Sequence, residues 1–349
     1  MKINILIPFT FLTGGIRVVF LYANYLTSKG HEVVCYVPMK AYKFSNKPIL
    51  KVVKSSLGNV LKRGSKVNWF NCNFKIKLVP VISNTFVRDA DISIATAWPT
   101  AYDLNMFKES KGKKVYFVQD YETWSGDKKE VEDTYRFSLN KVVITKELQK
   151  KMLENFKEES HLVYNGLDSN EFISGKKISN ENIKILMLYN RASNKGTIEG
   201  IDVLKRIKEK HKNVHIRLFG FKKGNNIPSD FEFFENPERK DLINLYRESD
   251  IYVFPSKKEA WGLPVMEAMA NKCAIVGNNV GCVKELCTNG ENALTVDNLD
   301  YKVMEEKIEE LFNNRELLIK IQNGGYELAK DFKWENSFKK FEGYLKSLI

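Results

Sequence analysis

The sequence predicts an α/β protein of two doubly wound, parallel-sheet domains facing each other across a cleft. Its 349 residues suffice for two cores of ordinary size. Short β-rich apolar runs alternate with amphipathic helical patterns nearly from end to end, as βαβ units require. The alternation breaks once, at Ser169 to Asn182, a stretch rich in Ser, Asn, Gly and Lys that reads as a linker, and then restarts.

Before that break, strands are predicted at Ile3 to Phe9, Glu32 to Val37, Ile92 to Ala97, Val115 to Val118, Val142 to Thr145 and Leu162 to Tyr164. Helices are predicted at Ile16 to Ser28 and Lys146 to Phe156. After it, strands fall at Ile185 to Tyr189, His215 to Phe219, Phe231 to Phe234, Ile251 to Phe254 and Ala274 to Val276. Helices near Gly196 to Lys210, Lys240 to Glu248, Pro264 to Ala270 and Lys302 to Asn313 fill the gaps. Asn165-Gly166 reads as a turn. In open parallel sheets ligands bind beyond the carboxyl ends of the strands, so the chemistry is expected there.

Composition narrows the function classes. Hydrophobic residues at 43% and charged residues at 28% are the balance of a globular protein. No apolar run approaches the roughly 18 to 20 residues of a spanning helix, and the apolar start reads as a buried strand, not a signal peptide. Cys35, Cys72, Cys273, Cys282 and Cys287 form no C-x-x-C pair and lie near no histidine cluster. A reducing cytoplasm and no structural metal are expected, with Cys282 and Cys287 as small buried thiols.

The net charge of +12 is unevenly placed. Between Glu32 and Asp89 there is no acidic residue, and the lysine-rich stretch 40–77 interleaves cations with Ile49, Leu50, Val52 and Val53. Such a stretch suits an anionic membrane surface; a solvated lysine-rich face is the alternative. Nucleic acid is not expected, because no nucleic-acid-binding signature accompanies the charge.

The strongest local signal is FPSKKEAWGLPVMEAMA, Phe254 to Ala270, joining a buried strand to a helix through a loop that holds Glu259 and Gly262. Pro264 suits the first helical turn, and the amides from Gly262 through Leu263 and Pro264 to Val265 mark a helix N-terminus able to bind a diphosphate. Glu259 precedes that site and Glu267 is read in the first turn. One carboxylate would meet sugar hydroxyls and the other ribose; dipole complementation by Glu267 and plain solvation of Glu259 are the alternatives. Upstream, YNRASNKG places Arg191 and Lys195 at a strand's carboxyl end, where two cations would neutralise a leaving pyrophosphate unless both are merely solvated. Near the start, Thr13-Gly14-Gly15 gives a glycine turn where backbone approaches a phosphate or sugar closely, or simply a tight strand-to-helix turn.

Together these features resemble the family 4 retaining glycosyltransferases of GT-B fold, with two Rossmann-like domains, and the resemblance extends over nearly the whole chain. It is strongest at EAWGLPVMEAMA, close to the family's E-G-F-G-L-P-x-x-E-A-M-A. There it implies that Glu259 contacts donor-sugar hydroxyls, Gly262 to Val265 the phosphates and Glu267 the ribose. The segment NKCAIVGNNVGCVKELCTNGENALTV, including Glu285, resembles the family's next segment, and VYNGLDSNEF resembles the P-N-G-V-D-x-x-x-F run that ends its first domain. Arg191 and Lys195 match the family's phosphate ligands in a loop one residue shorter than G-R-x-x-x-E-K-G. Where many relatives have V-H-D or I-H-E, with the histidine beside the reaction centre, this chain reads YFVQDYETW. The resemblance thus puts Gln119 in the histidine's place at the catalytic site, with Asp120 beside it as the candidate acceptor or sugar contact and the Gln119 to Trp124 segment as part of the acceptor surface. Similar V-Q-D-x-E runs occur in a branch that includes rhamnosyltransferases. A polar pair at a strand end and a helix N-cap are the alternative roles for Gln119 and Asp120.

The resemblance implies an acceptor-side domain at 1–168, the linker at 169–182, a nucleotide-sugar domain at 183–328, and a C-terminal helix within 329–349 that packs back on the first domain. It implies retaining transfer from a UDP-, GDP- or dTDP-sugar to a cell-surface or lipid-linked glycan acceptor, with no cofactor and no required metal. The rivals are a sugar-nucleotide epimerase or synthase of the same fold and a noncatalytic, membrane-attached sugar-nucleotide-binding protein.

Overall fold

Strand β1, Lys2–Leu6, is buried at every position after the first, because a parallel sheet covered on both faces leaves no side for water. The computed structural model describes residues 1–42, 67–173 and 182–349. Most of the basic stretch 40–77 and most of the expected linker therefore lie outside the described residues. The chain divides into two compact units, Met1–Tyr164 with Glu335–Ile349, and Asn165–Trp334.

The first unit adds β2 (Glu32–Pro38), β3 (Lys75–Val79), β4 (Ile92–Ala95), β5 (Lys113–Val118), β6 (Asn140–Val143) and β7 (Ser160–Leu162). All pairings are parallel, in the order β3-β2-β1-β4-β5-β6-β7. Strand order reverses between β1 and β4, which makes their carboxyl ends the switch point. Edge strand β3 was not expected. Its KIKLV alternates exposed Lys75 and Lys77 with half-buried Ile76 and Leu78, so the lysines are the outward row of an edge strand, where charge discourages further pairing. Arg88, at the end of the acid-free stretch, is held by Glu32 (3.0 Å) and donates to the Asn4 side chain.

In the same unit, Glu335–Ile349 pack on the first helix, α1 (Gly14–Ser28). The rings of Tyr22 and Phe341 lie 4.6 Å apart, and Glu342 accepts from the Tyr25 hydroxyl at 2.9 Å and meets His31 at 2.9 Å and Lys346 at 2.7 Å.

The second unit has β8 (Lys184–Leu188), β9 (His215–Gly220), β10 (Glu232–Glu235), β11 (Ile251–Phe254), β12 (Ala274–Asn278) and β13 (Leu294–Val296). They are again all parallel, in the order β10-β9-β8-β11-β12-β13. Its switch point lies between β8 and β11. Strand β13, only three residues long, was not expected. Nor is Asn165-Gly166 a turn. Leu167 donates to Phe332 O and accepts from Trp334 N, and a Cβ on Gly166 would lie 2.4 Å from Trp334 N, so the glycine permits close backbone approach. Among the described residues no helix is long and apolar enough to cross a membrane.

Candidate functional site

The switch point of the second unit gathers residues that the sequence placed on two separate loops. The loop after β8 carries Arg191 and Lys195 and closes on Gly196, the left-handed residue before helix Thr197–Lys210. The loop after β11 carries Glu259 and closes on Gly262, left-handed in turn (φ 97°), before helix Leu263–Ala270. Backbone bonds fasten the two: the amides of Lys257 and Lys258 donate to Asn194 O at 2.8 and 3.2 Å. A Cβ on Gly196 would fall 1.9 Å from Pro255 O, so only glycine lets these loops meet.

This docking brings Lys195 Nζ to 2.5 Å from Glu259 Oε2, with both side chains half-buried. The pair neutralises each charge where hydration is reduced, and it leaves both groups at the mouth of the helix N-terminus. Arg191 donates from Nη2 to Lys223 O at 2.9 Å and remains exposed. Glu259 is wedged between glycines, since a Cβ on Gly281 would lie 3.1 Å from its Cγ and one on Gly262 3.5 Å.

Two details of the expected N-terminus are corrected. The amides from Gly262 to Val265 are not all available: Pro264 has none, and Val265 N donates to Gly262 O at 2.9 Å. Gly262 and Leu263 supply the remaining donors, as the first turn of a helix must. Glu267 is the fifth residue of the helix and lies outside the first turn, which holds no acid. It is buried, accepting from the Tyr246 hydroxyl at 3.2 Å and pairing with Arg239 Nη2 at 2.8 Å; Arg239 in turn clasps Glu171. Tyr246 is 21 positions from Glu267, and Glu171 is 68 from Arg239, beyond the reach of any local motif. Cys282 is buried as expected, but Cys287 is half-buried.

At the switch point of the first unit, Gly14 and Gly15 open α1 without positive φ, so they form its first turn and not a glycine turn. Thr13 caps the helix, its hydroxyl accepting from Ile16 N at 3.2 Å. Gln119, after β5, donates from Nε2 to Gly15 O at 3.3 Å, and a Cβ on Gly15 would meet that amide at 3.5 Å. Sequence reading treated these two sites apart; the fold joins them. Asp120 is no cap of an α-helix: its carboxylate accepts from Tyr121 N (2.7 Å) and Trp124 Nε1 (2.8 Å), and Asp127 caps the next helix, Lys128–Tyr135.

Glu122, which sequence reading did not single out, is half-buried beneath this loop. It accepts from Trp98 N at 2.8 Å and lies 3.4 Å from the Tyr116 hydroxyl. Burial pushes its carboxyl up to about 8, against the lowering effect of the Trp98 amide. Its only sequence signal was its place in V-Q-D-x-E.

Two parallel-sheet domains with their side-chain clusters at the strands' carboxyl ends define a GT-B fold. Solved structures share it over the whole chain. A sucrose-phosphate synthase from Thermosynechococcus elongatus superposes with a TM-score of 0.75 at 13% identity, covering 99% of this chain and 98% of that one. HepE of Anabaena, in complex with UDP and glucose, gives 0.75 at 14% identity with both chains fully covered. Residues 168–328 match the model of the family Glycosyl transferases group 1. Curated relatives include the capsular polysaccharide biosynthesis glycosyltransferase CapM of Staphylococcus aureus, 27% identical over 234 residues (59% of this chain, 62% of that one). An uncharacterized glycosyltransferase of Methanocaldococcus jannaschii is 26% identical over 201 residues (56% of this chain, 55% of that one). The matches thus span little more than half the length of these curated relatives.

Proposed function

We propose that the protein is a retaining glycosyltransferase that moves a sugar from a nucleotide-sugar donor to a glycan or lipid-linked acceptor in surface-polysaccharide synthesis. The observation that carries this reading is the Lys195–Glu259 pair beside the Gly262 and Leu263 amides at the second unit's switch point. A diphosphate would take the amides, Lys195 and Arg191; the donor sugar's hydroxyls would take Glu259 as Lys195 turns to phosphate. Glu267, held by Arg239, would accept from ribose. The cations stabilise charge that grows on the departing phosphate, the group that also receives the acceptor's proton on the same face. These residues supply that stabilisation themselves, and no metal is assigned a step.

The capsular-polysaccharide relative supports the class of product, and the HepE complexes with UDP and with UDP-glucose support the class of donor. The test is transfer of radiolabel from UDP-, GDP- and dTDP-sugars into a lipid or glycan fraction of the source cells. Label that stays in the nucleotide-sugar pool as an isomer would replace transfer with epimerisation.

A further inference from the structure

The loop Gln119 to Ser125 is braced on several sides, yet it carries one of the most exposed large aromatic residues described. Trp124 is 60% accessible. Around it, Glu122 accepts from Trp98 N, Ser125 Oγ accepts from Trp98 Nε1 at 3.1 Å, and the Tyr121 hydroxyl donates to Glu132 at 2.6 Å. Beneath, Gly126 lets the loop settle on the Trp98 ring, since a Cβ there would lie 2.8 Å from it. A loop tied at so many points loses little further ordering entropy when a ligand arrives.

The exposed indole is itself fixed. Its N–H donates to Asp120 Oδ2, and Asp120 Oδ1 is held by Tyr121 N. With its one donor used, Trp124 can offer a ligand only its ring faces and edge. Beside it stand hydrogen-bonding groups with capacity to spare. Gln119 commits its Nε2 to Gly15 O, while its Oε1 has no hydrogen-bond partner among the described residues. Each Asp120 oxygen accepts one bond where a carboxylate oxygen can accept two. An exposed aromatic face, hydrogen-bonded through its N–H and set next to an amide and a carboxylate, suits a saccharide ring, whose C–H face stacks while its hydroxyls donate sideways.

We infer that Trp124, presented by Asp120, is the stacking platform for a sugar ring of the acceptor, with Gln119 and Asp120 receiving its hydroxyls. This rests on the glycosyltransferase reading and deepens it by assigning an acceptor contact within the first unit.

Saturation-transfer NMR tests it, using methyl glycosides of glucose, galactose, N-acetylglucosamine and rhamnose at millimolar concentration, with UDP, GDP and dTDP as separate probes. At least one glycoside should take saturation on its ring protons from the wild type. Trp124→Ala should weaken that binding about 3- to 10-fold, the scale of one lost aromatic stacking contact, and Trp124→Phe should retain most of it. Asp120→Asn, which loses one of two accepted bonds, should fall between them. Glycoside saturation equal in wild type and Trp124→Ala, or absent from the wild type with all four sugars, overturns the assignment. The nucleotide probes report separately: saturation of none of them would refute the nucleotide-sugar reading and leave the glycoside result to be judged alone.

Discussion

Lys195 and Glu259, 64 positions apart, meet at 2.5 Å because Asn194 O accepts the amides of Lys257 and Lys258 and so clamps one switch-point loop to the other. A bound donor that engages either side chain meets the other beside it. Lys195→Ala and Glu259→Gln should each lower turnover by about 10- to 1000-fold, the scale of losing one transition-state donor. The double variant should fall well short of the product of the two losses, as groups in one ion pair behave. Independent, multiplicative losses measured by steady-state kinetics would mean that the pair does not act as a unit.

Among the described residues Arg191 makes no such pair, and its bond to Lys223 O is exposed. Arg191→Ala should leave thermal stability within about 0.5 kcal/mol, as for an exposed surface change, while lowering turnover by about 10-fold or more. Wild-type turnover in that variant would remove it from the phosphate site.

Glu267 is buried against Arg239 and Tyr246. Glu267→Gln should weaken binding of the free nucleotide, measured by calorimetry, more than it weakens any discrimination among sugars. Arg239→Met should do the same without touching the ligand, because it removes the ion-pair partner that positions the carboxylate; Arg239→Lys should recover part of the affinity. Unchanged nucleotide affinity in Glu267→Gln would contradict the ribose role.

The fold was legible where burial writes a pattern. Every strand but β3, β7 and β13, and the helix after Pro264, can be read from apolar runs and from residues whose backbone limits fit one place only; β7 falls at Ser160–Leu162, where Leu162 to Tyr164 was expected. Strand β3 was hidden because an edge strand carries lysines on its open side, and β13 because three residues make no pattern. Lys195 and Glu259 were visible as types, but their contact was not, since it depends on a hydrogen bond between loops. Arg239 and Glu171 carry no local signal, and Glu122 only its place in V-Q-D-x-E. Their roles come from what the fold packs beside them.

Glu122 predicts a pH dependence of stability. Its carboxyl is raised to about 8 by burial, so the folded chain holds a proton that the unfolded chain releases above the ordinary glutamate range. Stability from this group is full at low pH and is lost as pH rises toward 8. Glu122→Gln keeps the acceptor for Trp98 N and should flatten that decline in thermal melts from pH 5 to about 9. Parallel pH profiles for the two proteins would contradict it.

Glu342 acts in the opposite sense. Burial alone would raise its carboxyl, but hydrogen bonds from Lys346, His31 and Tyr25 hold it down to about 2. Its stabilisation is present above the ordinary glutamate range and is lost as pH falls from there toward 2. Glu342→Gln should melt lower than the wild type near neutrality, and the difference should shrink on acidification. A gap that stayed constant down to about pH 3 would contradict this assignment.

The central claim is that the second unit's switch point grips a nucleotide-sugar through Lys195, Glu259 and the amides of Gly262 and Leu263. Thermal shift with UDP-, GDP- and dTDP-sugars tests it most directly, in the wild type and in Lys195→Ala. A true donor at 100 times its Kd should stabilise the wild type by about 2.7 kcal/mol, and the variant should need much more ligand for the same shift. No shift with any of the three classes, or an equal shift in the variant, would contradict it.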